Sequence, residues 1–333
     1  MAREYDESDA RVRPARRTFA RTKDRPKHEK AIDAFVTTVD RGRTTCVIES
    51  GATITAMKAR ELGPKSVVVG DSIKIVGDTS GREGSLARIV AVNDRHNSLS
   101  RTIDDAAKVE RTIVANIDQL VIVVATTNPE PRRGLIDRFL VSAFAESIDP
   151  ILVVTKTDLA PLPDFIDSYK ALGVEVITSR KINGKLDGTS LEELHGLLDG
   201  KVSVLVGHSG VGKSTLINAL VPDADRETGD VNDVTGRGRH TSSSAIALAI
   251  DSRVGGWIID TPGIRAFGLA HIDPNDIVNA FSELSLVAAG CMTNCTHLGG
   301  GCKLDEWAAP QGVAINERVE RLASLRSLLQ SIE

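Results

Sequence analysis

Between residues 32 and 100 apolar and polar positions alternate in short bursts: "AFVTTV", "TTCVIES", "TITAMKA", "DSIKIVG" and "LARIVAV". A two-residue period rich in Val, Ile and Thr is the pattern of a half-buried strand. "DRG", "VGD" and "GDTSG" place turn residues between the bursts. Strands this short, in this number, predict a small β-barrel, and the five-stranded OB fold is the natural candidate. Such barrels bind oligonucleotides on one face or act as protein-docking modules, and periodicity does not choose between the two. Cys46, inside "TTCVIES", reads as a small core residue.

From about residue 110 the period changes. "DQLVIVVAT" is a continuous apolar run, as in a parallel strand buried on both faces. "GLIDRFLVSAFAES" carries Leu135, Ile136, Phe139, Leu140 and Ala143 at helical spacing. "PILVVTKTDL" is again a strand, followed by a helical stretch near Phe165 to Leu172, the strand "VEVITS" and a helix near Leu191 to Leu198. "VSVLVGHSGVGKSTLINALV" is strand, glycine turn and helix, and "AIALAI" and "GGWIIDTPG" supply two more strands. This alternation predicts an open α/β sheet with helices on both faces. In the terminal segment Ile315, Val319, Leu322, Leu325, Leu329 and Ile332 form one helical apolar stripe, with Arg318, Arg321 and Arg326 off it as a solvated face.

Residues 1–30 show neither period and mix Arg and Lys with acids, which predicts a disordered basic arm. Such an arm serves solubility or reaches RNA phosphates. The expected division is therefore arm 1–30, OB-like barrel 31–105, α/β domain 106–272 and helical domain 273–333.

Composition narrows the class. The 333 residues suffice for two or three cores, and 41% hydrophobic with 26% charged residues is ordinary for a globular protein. Aromatics are only 3%, so the cores rest on aliphatic side chains. A net charge of −4 excludes a uniformly basic nucleic-acid binder and confines any RNA contact to local patches. The opening "MAREYDESDA" lacks the apolar core of a signal peptide, and no apolar run reaches the ~18 residues of a membrane span. The expected location is the cytoplasm, and nothing in the sequence demands an oligomer.

The chemistry starts with the phosphate loop. Gly207-His208-Ser209-Gly210-Val211-Gly212-Lys213-Ser214, followed by Thr215, fits G-x-x-x-x-G-K-[ST] between an apolar strand and a helix. Glycines let backbone N–H groups surround a β-phosphate, and the helix start faces the anion. Lys213 is expected on the β/γ oxygens and Ser214 on Mg²⁺. "IIDTPG" places Asp260 at a strand end, to hold Mg²⁺ through water, with the Gly263 N–H near the γ-phosphate. "TKTD" ends an apolar strand: Asp158 can accept from guanine N1 and its exocyclic amine, for which adenine has no matching donors. Lys156 would lie along the base, and Thr155 stands where Asn is usual, a change that weakens the N7 contact and loop bracing. Thr178 and Ser179 of "TSR" match the loop that meets the base oxygen.

These motifs run in an unusual order: base reader, second base loop, phosphate loop, switch, D-x-x-G. A parallel sheet tolerates such a circular permutation, because its strand ends need not be linked in one order. With the barrel before it and the Cys/His cluster after it, the chain resembles the ribosome small-subunit-dependent GTPase family over roughly residues 32–332. The resemblance implies GTP hydrolysis stimulated by the small ribosomal subunit, contact with its rRNA, and Mg²⁺ with the nucleotide. "GRGRHTSSS" resembles the family's Gly-x-His-Thr-Thr switch, with Ser242 for the second Thr. It implies that Thr241 ligates Mg²⁺ and that His240 replaces the water-orienting Gln, whose usual place holds Ile264. The order also implies a mechanical relay, since the switch segment leads straight into the C-terminal domain.

Cys291, Cys295, His297 and Cys302 in "CMTNCTHLGGGC" are three thiols and an imidazole, a set suited to one tetrahedral structural Zn²⁺, or else simply reduced cysteines. The first gap is slightly shorter than the family's. Two rival readings remain: an RNA-binding assembly factor that uses GTP mainly as a structural switch, and a P-loop kinase or transport ATPase, against which "TKTD" speaks.

Overall fold

The computed structural model describes residues 30–40, 42–62, 67–104, 109–221, 245–250, 255–261, 273–279, 281–309 and 315–330. The basic arm up to residue 29 lies outside them, as do His240, Thr241 and Gly263.

All five alternating bursts are strands: β1 (Ile32–Asp40), β2 (Arg43–Ile48), β3 (Thr53–Lys58), β4 (Ser72–Gly77) and β5 (Ala87–Val92). They close into a barrel, paired β1-β2-β3-β5-β4 with β4 returning to β1. Only β3–β5 is parallel, with Ala56 opposite Ala87. The inward positions alternate as the period requires: Ala34 and Val36, Ile54 and Ala56, Ile73 and Ile75, Ala87 and Ile89. A bulge between Val36 and Thr38 re-aims β1, so that Thr38 pairs with Ile246 of the next domain.

Next comes a hairpin the apolar pattern did not signal, β6 (Ser98–Asp104) and β7 (Val109–Ala115). Its inner residues Leu99 and Val114 are buried, and the Ala115 N–H donates to Val69 O at 3.1 Å. Gly70, at φ +90, is required here, because a Cβ would lie 2.0 Å from Ala115 O. Asp71 is fully buried beside it, and its carboxylate accepts from Arg95 Nε at 2.7 Å, Arg95 NH2 at 2.9 Å and the Val68 N–H at 2.8 Å. This fork–fork pair ties barrel to hairpin.

The α/β domain contains β8 (Gln119–Ala125), α1 (Arg133–Ala145), β9 (Asp149–Thr155), α2 (Asp167–Lys170), β10 (Glu175–Thr178) and a two-residue ladder of β11 (Lys181–Ile182) with β12 (Lys185–Leu186). Then follow α3 (Gly188–Leu198), β13 (Val202–Val206), α4 (Lys213–Leu220), β14 (Ile246–Ala249) and β15 (Trp257–Asp260). The sheet order is β10-β9-β8-β13-β15-β14, parallel except that β14 runs against β15. Successive residues of β8 feed opposite cores. Leu120, Ile122 and Val124 meet α1, while Val121, Val123 and Ala125 share a core with Leu194 and Leu198 of α3 and Leu216, Ile217 and Leu220 of α4.

The C-terminal helices α5 (Pro274–Asn279), α6 (Ser282–Ala288), α7 (Lys303–Ala308) and α8 (Ile315–Gln330) extend the α1-side core through Ile277, Phe281, Leu284, Leu304 and Leu325. Within the terminal stripe Leu322, Leu325 and Leu329 are buried, joined by Leu328, but Val319 is 48% exposed; Ile332 and the Ile315 side chain lie outside what is described. Of the arginines beside it, Arg318 is exposed as expected, whereas Arg321 and Arg326 are clamps and not part of a solvated face. Arg321 donates to Ala171 O at 2.6 Å and pairs with Glu283 at 2.6 Å, and Arg326 donates to His297 O at 2.9 Å and pairs with Asp305 at 2.7 Å.

Removing one partner of a buried ion pair strands the other charge. Arg95→Met is expected to destabilise the barrel by about 3 kcal/mol. Urea unfolding followed by fluorescence of Trp257, which packs 4.9 Å from Phe35 of β1, in a Trp307→Phe background reads this. An unchanged midpoint would refute the assignment.

Candidate functional site

In a parallel sheet every strand ends on the same edge, and that edge here gathers the separated motifs. β13 ends at Val206 and the chain turns at once through Gly207, at φ +141, where a Cβ would sit 2.2 Å from Val123 O. Only glycine lets the phosphate loop lie this close to β8. Gly212, also at positive φ, caps α4, and the first intrahelical bond runs from the Leu216 N–H to Gly212 O at 3.0 Å. The N–H groups of Lys213, Ser214 and Thr215 precede that bond, so they are the helix's spare donors. His208, Ser209 and Gly210 are exposed at the mouth of the loop, and Val211 is buried beneath it.

The Lys213 ammonium donates to Gly207 O at 2.7 Å and His208 O at 2.8 Å, folded over the loop it serves. Burial pushes its pKa down, and the nearby Asp260 carboxylate opposes that shift. Asp260 is itself buried at the end of β15, opposite Leu205 in the neighbouring strand. Thr261 secures the turn after it by donating to Leu205 O at 3.1 Å.

The base-reading segment ends β9 two strands away. Three threonines brace it. Thr155 is 5% exposed, and its Oγ1 lies 2.6 Å from Val211 O in the phosphate loop and 3.1 Å from Val124 O. Bracing is thus retained in spite of the missing Asn. Thr126 Oγ1 donates to Lys156 O at 2.7 Å, and Thr157 Oγ1 donates to Ser179 O at 3.3 Å. Lys156 adopts φ +60, and its ammonium donates to Asn128 O. Asp158 is exposed, and its Oδ1 accepts from the Lys181 N–H at 3.2 Å, just past Thr178 and Ser179. Thr126 and Asn128 are supports without a sequence signature, because a lone hydroxyl or carbonyl after a strand carries no pattern.

The metal-ligand candidates also converge. One donor atom from each of Cys291, Cys295, His297 and Cys302 lies within 4.8 Å of all the others. His297 Nδ1 is 3.5 Å from Cys302 Sγ and 3.8 Å from Cys291 Sγ, while its Nε2 lies 3.3 Å from Asn275 Oδ1. That outer contact fixes the tautomer with Nδ1 free to coordinate. Burial lowers the His297 pKa, with Arg326 adding to the effect, and both favour the neutral imidazole. Burial pushes the Cys302 thiol up to about 11, with the Cys291 and Cys295 thiols adding to it. A cation among the thiols would reverse that shift, and the donor set fits a tetrahedral metal ion. Asn275 gave no signal in the sequence, since an outer-shell partner has no fixed spacing.

Comparison with known proteins places the chain. Residues 92–270 match the RsgA GTPase family. A protein of Pseudomonas aeruginosa (strain LESB58) named small ribosomal subunit biogenesis GTPase RsgA is 38% identical over 261 residues, covering 76% of this chain and 73% of that one. A protein of Marinobacter nauticus with the same name is 37% identical over 252 residues, covering 73% and 69%. The crystal structure of YjeQ from Thermotoga maritima aligns over 90% of this chain and 99% of its own, with TM-score 0.60 and 25% identity. That of YloQ, described as a circularly permuted GTPase, covers 91% and 98% with TM-score 0.60 and 21% identity, and shares the fold. With the phosphate loop, the buried acid of β15 and the braced base reader on one sheet edge in permuted order, this chain belongs to the RsgA GTPase family.

Proposed function

We propose that this protein hydrolyses GTP in late maturation and quality control of the small ribosomal subunit, with the subunit as activator. The observation that carries this is the convergence of the phosphate loop, Asp260 and Asp158 on one edge, joined by the Thr155–Val211 contact. The names of the relatives supply the ribosomal context.

In this reading the N–H groups of Gly207 to Thr215 and the Lys213 ammonium hold the β- and γ-phosphates. Ser214 and Thr241 would ligate Mg²⁺ directly and Asp260 through water, the ion supplying charge neutralisation between the phosphates. Gly263 meets the γ-phosphate, and His240 orients the attacking water. Thr155, Lys156, Asp158, Thr178 and Ser179 form the base site. Lys213, His240 and Thr241 act on the reacting phosphate, so catalysis is positioning and electrostatics. The cysteine cluster is read as one structural Zn²⁺ shaping a surface for rRNA. The working division is a barrel over 31–105, the GTPase over 106–272 and the metal domain over 273–333. Among the described residues no helix is long and apolar enough to cross a membrane. A monomer working in the cytoplasm is the form proposed.

GTP hydrolysis by the purified protein is expected to rise by about tenfold or more when purified small ribosomal subunits are added. His240→Ala should remove the rise while leaving subunit binding intact. Subunit binding without stimulation would favour a passive switch. Metal analysis should find about one zinc per chain, lost in Cys302→Ser together with a lower unfolding temperature. Full-length protein without bound metal but of unaltered stability would dismiss the structural zinc.

A further inference from the structure

The first side chain of the base-reading loop, Thr155, spends its hydroxyl inside the protein, and that bears on how the N7 edge of a guanine is met. Guanine N7 is an acceptor, so a protein that reads it must offer a donor there. An asparagine in the first position of this motif carries two N–H donors and a carbonyl, so it can brace the phosphate loop and still donate to N7. A threonine hydroxyl has one proton. In this chain that proton faces the carbonyls of Val211 at 2.6 Å and Val124 at 3.1 Å. The side chain is 5% exposed, and a Cβ added at Gly212 would meet its Oγ1, Cγ2 and Cβ at 3.7–3.9 Å. The phosphate loop therefore lies over Thr155 with about one methyl group's width between Gly212 and its side chain. Turning the hydroxyl outward would strip a buried carbonyl of its partner and open a gap beneath the loop.

The other side-chain donors of the segment have partners too. The Lys156 ammonium goes to Asn128 O, and the Thr157 hydroxyl goes to Ser179 O at 3.3 Å. Both hydroxyl donors between Thr155 and Asp158 are thus spent on backbone carbonyls, and Lys156, with one of its three protons on Asn128 O, is expected along the face of the base and not at its N7 edge. What remains to meet the base is the Asp158 carboxylate, an acceptor suited to N1–H and the 2-amino group, oriented by the Lys181 N–H at 3.2 Å.

We infer that this protein selects guanine without reading N7: Thr155 is a positioning residue that locks the base loop to the phosphate loop, and discrimination falls on the N1 and 2-amino edge through Asp158. The ligand class it admits includes guanine nucleotides altered at position 7. This rests on the reading of the site as a guanine-nucleotide site.

The test is competition against a fluorescent GDP by GTP, 7-deaza-GTP, ITP and ATP. On the unaltered protein, 7-deaza-GTP is expected to bind within about twofold of GTP, and ITP, which lacks the 2-amino group, about tenfold more weakly. Thr155→Val should weaken GTP and 7-deaza-GTP by the same factor, because it loosens the loop and not a base contact. Thr155→Asn should open a gap of at least about threefold in favour of GTP. GTP selected over ATP but preferred over 7-deaza-GTP by about tenfold in the unaltered protein would overturn this inference alone. ATP competing as well as GTP would overturn the guanine reading and this inference with it.

Discussion

The contact between the Thr155 hydroxyl and the Val211 carbonyl is the join on which the nucleotide site depends. It links the end of β9 to the phosphate loop after β13, two segments that the chain visits in the reverse of the order usual for this chemistry. The permutation is harmless because β9, β8 and β13 are parallel neighbours, so their carboxyl ends share one edge whichever is made first. Phosphate and base are thus met by loops whose relative height is set by the sheet and whose separation is set by one buried hydroxyl.

The rest of the molecule is arranged around that edge. One face of the sheet packs α3 and α4 and supports the phosphate loop from behind. The other face packs α1 and merges with the C-terminal helices, so the Cys/His cluster shares a core with the strands that carry the site. Arg326 fastens the His297 carbonyl to α8, and Arg321 fastens α8 to the turn after α2. On the far side β1 of the barrel pairs with β14, and Phe35 packs on Trp257 of β15, the strand that ends in Asp260. Barrel, nucleotide site and the C-terminal helices with their Cys/His cluster are therefore joined through shared packing.

Much of this was legible from residues alone, where one physical period dominates. Ile54 and Ala56, or Ile73 and Ile75, announce a strand because every second side chain must enter the barrel. The phosphate loop and the cysteine cluster are legible because their chemistry demands fixed residue types at short spacing. The β6–β7 hairpin was not, because on β7 the buried residues Val114 and Ala115 are adjacent, with Ile113 also packed on the core, and a consecutive run of this kind makes no two-residue period. The arginine clamps were missed for a related reason: helical spacing assigns Arg321 and Arg326 to a polar face, and only the fold shows that carbonyls and carboxylates of other segments wait there. Thr155 looked like a weakened Asn, whereas its partner lies more than fifty residues on, in a loop that only the tertiary structure brings near.

The most direct measurement of the central claim is a calorimetric titration of the full chain with Mg-GTP and with Mg-ATP, repeated on Asp158→Asn. The account predicts one nucleotide per chain, with GTP bound at least about a hundredfold more tightly than ATP and that preference collapsing in the variant. Equal affinity for the two nucleotides, or a preference that survives loss of the carboxylate, would contradict it.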